Sequence, residues 1–176
     1  MSREPIETIG FCGKIPSKGD FVQSNFNSEF LKHWNEWLQA VIAVSKEQLG
    51  HDWLNCYLTS PIWHFSLSEE VCCESPVMGT LIPSVDIVGR HFPFTVAIEH
   101  NNTAVGAWFE NDWTEDAEPI VLEVLEDDFD LNVWFEKLSF KIPNISVKKT
   151  SFSTHESGDK VKKAWVVQGS MSPDVL

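Results

Sequence analysis

The sequence predicts a mixed α/β domain, a largely antiparallel sheet with helices packed on its faces. Three observations carry that expectation. Residues 28–50 repeat their apolar positions at three- and four-residue steps, which is the period of a half-buried helix. Three later stretches, 62–67, 77–82 and 92–98, alternate or run apolar as strands do, and the links between them are modest. Short links suit antiparallel neighbours, because a parallel pair needs a crossover of a dozen or more residues.

Taken in order, residues 6–11 alternate weakly and predict a short strand. The segment GFCGKIPSKGDF, 10–21, is a loop: Pro16 presets its own φ, Ser17 bonds nearby backbone, and Gly19 supplies a left-handed position ahead of Asp20. Ser28 offers an N-cap with Glu29 in the first turn, and the helix runs to about Gly50. Its stripe of Phe30, Trp34, Trp37, Leu38, Val41, Ile42 and Leu49 is predicted to be core. A ligand-binding role for Trp34 and Trp37 is outweighed, since aromatics at helical spacing usually bury against a sheet.

Residues 53–58 fit a short helix that ends before Pro61. The strand over 62–67 puts Trp63, Phe65 and Leu67 on one side and His64 and Ser66 on the other. Residues 83–91 connect the other two strands. Further on, 111–118 form an acidic cap on a helix through Ile120, Val121, Val124 and Leu125, with Pro119 expected in its first turn. Residues 131–138 predict another helix, closed by Pro143. The stretch 146–163 reads as a mobile loop or hairpin and 164–168 as a last strand. Without repeats or a low-complexity tract, 1–176 is expected to be one domain.

Composition narrows the function classes. At 43% hydrophobic residues with eight tryptophans, the chain folds around a substantial core. It has no apolar run of membrane-spanning length and no apolar signal core at its N-terminus, so it reads as soluble and unexported. A formal net charge of −13 argues against nucleic acid. The charge is uneven: no Lys or Arg lies between His91 and Glu136, while seven of the thirteen basic residues fall between Lys137 and Lys163. An acidic face is first of all a solvated surface, and second a docking face for a basic partner. Cys12, Cys56, Cys72 and Cys73 lack metal-ligand spacing and read as buried free thiols.

Two loops hold the chemistry. The first resembles a phosphate-cradling P-loop only superficially. Gly10 stands three residues before Gly13, and Ile15 follows Lys14 where Ser or Thr would be needed to reach Mg²⁺. The second, PSVDIVGRHFPF over 83–94, places Asp86 and Arg90 four apart with Gly89 beside the arginine. GKIPSKGDF, a Trp-rich helix, PIWHF over 61–65 and PSVDIVGRHFP, in this order and spacing, resemble the TagF (ImpM) family of type VI secretion accessory proteins. The resemblance is good over 9–94 and looser beyond. It implies a three-layer α/β fold and a cytoplasmic bacterial protein that restrains the secretion machine by protein contacts, in some members by engaging an FHA-domain scaffold. It implies no catalytic residues, cofactor or metal.

Read by themselves, the loops offer Lys14, Pro16, Ser17, Lys18, Gly19, Asp20, Asp86 and Arg90 as a set that braces the loops or binds a partner. The guanidinium of Arg90 is a planar donor fork suited to Asp20 or Asp86 or to backbone carbonyls, and internal bracing ranks above direct partner contact. The competing hypothesis is a small hydrolase or phosphate-binding enzyme with Asp20, Asp86, Arg90 and a histidine in one pocket. The six histidines form no HxxxH or HExxH pair, and no GxSxG elbow occurs. An enzyme requires these groups to be open and convergent in a concave site, whereas a binder requires an exposed apolar or charged patch.

Overall fold

The computed structural model describes residues 8–101, 103–110 and 113–141. Five strands, β1 (Thr8–Gly13), β2 (Val22–Ser24), β3 (Trp63–Leu67), β4 (Val77–Ile82) and β5 (Phe94–Glu99), form one sheet in the order β2-β1-β5-β4-β3. Every pairing is antiparallel, including β1 with β5, whose register sets Phe11 opposite Val96. The helices are α1 (Ser28–Leu49), α2 (Trp53–Leu58), α3 (Ala104–Glu110), α4 (Trp113–Leu122) and α5 (Leu131–Lys141).

The two-residue side-chain period divides the sheet into two buried faces. Ile9 and Phe11 of β1, Met78 and Ile82 of β4, and Phe94, Val96 and Ile98 of β5 pack with Trp113, Ile120, Val121, Trp134 and Leu138 of α4 and α5. Cys12, Val77 and Ala97 point the other way, against Phe30, Trp34 and Leu38 of α1. Helices therefore cover both faces. Because β5 is buried on both sides it shows little polar alternation, and it begins at Phe94 rather than at Phe92. Phe92 still belongs to the preceding loop, its N–H bonded to the Ser84 carbonyl at 3.1 Å.

Helix α1 departs from expectation at two points. Asn27, not Ser28, is its N-cap: the side chain accepts from the Phe30 N–H at 2.7 Å while its amide donates to Glu99 of β5 at 2.7 Å. Only part of the apolar stripe is core. Phe30, Trp34 and Leu38 are buried, but Trp37 is 51% exposed, and Val41 and Leu49 are exposed too. Trp37 and Val41 instead line a gap left between α1 and β3.

Helix α3 and strand β2 carried too little sequence pattern to be predicted. Three residues cannot display an alternation, and Gly106 interrupts α3, whose start is marked only by Thr103 bonding the Gly106 N–H at 3.0 Å. Pro119 lies well inside α4 instead of in its first turn, because the helix already begins at Trp113. The α4–α5 layer is joined by Trp134, whose indole N–H donates to the Ile120 carbonyl at 2.8 Å. Pro143, the loop over 146–163 and the strand over 164–168 lie outside the described residues.

Candidate functional site

The Lys14 loop leaves β1 through a close approach. Gly13 has φ +138°, and a Cβ there would stand 2.2 Å from the Pro93 carbonyl oxygen, so only glycine lets β1 run on over Pro93 and Phe94. Ile15 then plugs into the core, and the Lys18 N–H bonds the Ile15 carbonyl at 3.1 Å, which closes a turn across Pro16 and Ser17. The second loop is a narrow hairpin over 84–92. Its arms meet at the Val85–His91 bridge, and its tip is closed by Asp86 N–H to Arg90 carbonyl at 3.0 Å and Gly89 N–H to Asp86 carbonyl at 2.8 Å. Gly89 takes φ +82°, the left-handed conformation that this tip requires.

Asp86 joins the two loops. One carboxylate oxygen accepts from the backbone N–H of Val88 at 3.1 Å and of Arg90 at 2.8 Å. The other accepts from the ammonium of Lys14 and from Nε of Arg90, the latter at 2.6 Å. Arg90 reaches onward with Nη2 to the Gly19 carbonyl, and the Ile87 N–H donates to the Lys18 carbonyl at 3.0 Å. Burial by itself would raise the Asp86 carboxyl. The hydrogen bond from Lys14, together with those from the Arg90 backbone and guanidinium, outweighs it and holds the group below the usual carboxylate range. With four donors on two oxygens and no proton at neutral pH, this carboxylate is a structural acceptor with little capacity as a base or nucleophile.

A third element anchors the hairpin from below. The Tyr57 hydroxyl of α2 donates to the Ser84 carbonyl at 2.8 Å and accepts from the Ser84 N–H at 3.0 Å. Burial pushes the phenol up to about 12, with the Ser84 bond pulling modestly the other way. His91 stands edge-on to both Trp53 and Tyr57, 5.5 Å from each ring.

The eight residues singled out in the sequence thus occupy one region but differ in role. Asp86 is buried, Lys14 is mostly covered, and Pro16, Ser17 and Gly19 are half-buried. Lys18, Asp20 and Arg90 face solvent, Arg90 with 60% of its side chain exposed. Asp20 makes no ion pair among the described residues, so the bond from Arg90 to its loop runs through the Gly19 carbonyl. The sequence reading passed over Ile87 and Val88, which sit at the hairpin tip 66% and 67% exposed. The available signal was two consecutive branched apolar residues inside a Gly-closed turn, where polar residues are usual.

One constellation has the order of a hydrolytic triad. Trp113 donates its indole N–H to Thr80 Oγ1 at 2.8 Å, which turns the threonine hydroxyl hydrogen toward Nδ1 of His64 at 2.8 Å. Nε2 of His64 then donates to Glu118 at 3.0 Å. Thr80 is fully buried between the sheet and α4, so no substrate reaches its oxygen, and the relay ties β3 and β4 to α4. None of the described histidines bonds Asp86, and His155 lies outside the described residues. No described group of three His, Cys, Asp or Glu side chains is arranged to hold a metal ion.

Comparisons with known proteins place this geometry. The crystal structure of PA0076 from Pseudomonas aeruginosa PAO1 superimposes with a TM-score of 0.72 at 28% identity, over 91% of this chain and 72% of that one. No curated protein matches the chain. The family model for the type VI secretion system-associated TagF N-terminal domain matches residues 10–140, which include both loops and all five helices apart from the last residue of α5. On that match, spanning well over half its length, the chain belongs to the TagF N-terminal domain family.

Proposed function

We propose that the chain is a non-enzymatic accessory protein of a bacterial type VI secretion system that works by stoichiometric binding. In this reading it acts in the cytoplasm as a negative, post-translational regulator, and its partner is an FHA-domain scaffold of the machine. The observation that carries the reading is the engagement of Asp86 by Lys14, Arg90 and two backbone amides. Lys14, Asp86 and the inner nitrogens of Arg90 are spent on fixing the shape of the loop pair, while Ile87, Val88, Lys18 and part of Arg90 are held outward as a small rigid surface. Binding energy of protein partners concentrates on such preorganised anchors.

The small hydrolase or phosphate-binding alternative is not favoured. Its two carboxylates are separated in role, one buried and saturated, the other exposed, and no described histidine joins them. The −13 net charge speaks against nucleic acid, and no described helix is long and apolar enough to cross a membrane. Neither a cofactor nor a metal enters the proposal.

The test is capture of a purified FHA-domain scaffold by the wild type, Val88→Asp and Arg90→Ala, with thermal midpoints measured on the same samples. Val88→Asp should abolish capture without moving the midpoint, since the side chain touches solvent. Arg90→Ala should weaken capture and lower the midpoint slightly, because Lys14 still neutralises Asp86. Steady turnover of a phosphate or ester substrate, abolished by Asp20→Asn or Asp86→Asn in a folded protein, would overturn the proposal in favour of the enzyme.

A further inference from the structure

Helix α1 leaves part of its sheet face uncovered. Between it and β3 lies an open groove of about 850 Å³, with Trp37 and Val41 on the helix wall, Trp63, Phe65 and Leu67 along the strand, and Val71 at one end. Trp37, Trp63 and Val71 are 51%, 55% and 58% exposed, a contiguous apolar surface of the kind that marks an interaction site. The polar groups on its walls already have partners: His33 Nδ1 donates to the Cys72 carbonyl at 2.8 Å, and His64 is held by Thr80 and Glu118. A small polar ligand would find nothing to orient it.

The groove runs beside an open sheet edge. Among the described residues β3 pairs with β4 alone, and the backbone groups on its outer side take no backbone partner, while α3 packs on the face of β3 away from Phe65 and Leu67, where the Ser66 hydroxyl donates to the Ala104 carbonyl at 2.7 Å. Sheet edges are normally blunted by charge, proline, a bulge or shortness, or covered by a helix or loop. The opposite edge follows that rule, since β2 is three residues long. Trp63-His64-Phe65-Ser66-Leu67 contains none of these devices. A strand added here would gain main-chain bonds from β3 and insert alternate side chains into the groove, which is the β-addition mode of peptide recognition.

Charge selects the occupant. The chain contains no Lys or Arg between Lys46 and Arg90, none lines the groove, and the exposed Glu69 and Glu70 precede Val71 at its end. Like charge at −13 per chain opposes a second copy, and it opposes an anionic bilayer equally. We propose that the α1–β3 groove receives an extended segment of a partner protein, apolar at alternate positions and rich in Lys or Arg between them, as a further strand on β3. This deepens the protein-binding reading but uses none of the residues that join the two loops, so the two proposals fail separately.

The probe is a random nine-residue peptide library displayed on phage and panned against the full chain, a length matched to an ordinary strand. Enriched sequences should alternate apolar with basic residues. A synthetic peptide of the consensus should slow hydrogen exchange of the outward-facing amides of 63–67, those that do not bond β4, by about tenfold or more. Its affinity should fall at least about fivefold in the Trp37→Ala, Trp63→Ala double variant, the loss expected of a contact residue. Affinity should also fall in Glu69→Lys, Glu70→Lys, and stay unchanged in Val133→Ser, an exposed position of α5 on the other face of the sheet. The proposal is overturned if nothing enriches, if the enriched peptides are acidic or lack alternation, or if binding ignores the two tryptophans. It is overturned equally if the outward-facing amides of 63–67, those that do not bond β4, are already slow in the peptide-free monomer, meaning the chain's own residues cover the edge, or if sedimentation shows a dimer that protects them.

Discussion

Trp34 and Trp37 lie three residues apart on the same helix with their rings 5.0 Å apart, yet alanine should have very different consequences at the two sites. Trp34 is 3% exposed, sits between Phe30 and Phe65, and donates its indole N–H to the buried Thr95 hydroxyl at 3.0 Å. Removing a buried large aromatic costs about 3–5 kcal/mol. Stripping the Thr95 oxygen of its donor places Trp34→Ala at the upper end of that range, since an unmatched buried polar atom costs about 1 kcal/mol or more. Half of Trp37 remains in water, so only about 1–2 kcal/mol of transfer free energy is at stake there. Trp34→Phe separates the two contributions: it keeps most of the ring and should lose about 1 kcal/mol for the hydrogen bond. Urea unfolding followed by far-UV circular dichroism measures all three, provided the m-value is unchanged. For a chain of this size each kcal/mol moves the thermal midpoint by about 2–4 °C. Equal costs at the two positions would refute the division of α1 into a buried and an open half, and with it the groove.

Tyr57→Phe should destabilise by about 1–2 kcal/mol by orphaning the Ser84 N–H, while the Ser84 carbonyl keeps its bond from Phe92. The raised phenol of Tyr57 stabilises the fold fully below its unfolded value near 10, and that contribution is lost as pH rises toward about 12, so the phenylalanine variant should show a shallower alkaline limb. Asp86 has the opposite sign. Its depressed carboxyl contributes fully above the unfolded value of about 4 and loses that contribution as pH falls further, so Asp86→Asn should flatten the acid limb in unfolding followed from pH 6 downward. Cys12, buried and pushed up to about 12 by that burial, should react with a thiol reagent only on unfolding, whereas Cys56, exposed where the sequence suggested a buried thiol, should label in the native state. Mass spectrometry of labelled peptides distinguishes them, and native labelling of Cys12 would contradict the packing of β1 against α1.

Sequence by itself determined what is decided within a few residues. The span of α1 followed from its apolar recurrence, β3 from Trp63, Phe65 and Leu67, and α2 from the run that stops short of Pro61. The two loops were legible for the same reason, since Gly13, Pro16 and Gly89 act on the backbone locally, but Gly19, expected in a left-handed position, does not take a positive φ. Arg90 was recognisable as a brace, though not which acid it would take. Asp86 and Asp20 are equivalent as letters, and the choice came from a hairpin tip that aims the Val88 and Arg90 amides at the same carboxylate that Lys14 reaches from a loop 72 positions away.

Tertiary structure alone decided the rest. The strand order β2-β1-β5-β4-β3 joins β1 to β5 across most of the described chain, and no local pattern encodes a pairing of that separation. The same limit applies to burial on α1. Periodicity states which side chains share a helix face, but the area of sheet beneath decides how many of them are covered. Trp34 met Thr95 and Phe65, while Trp37 and Val41 face the gap between α1 and β3 and remained open to solvent.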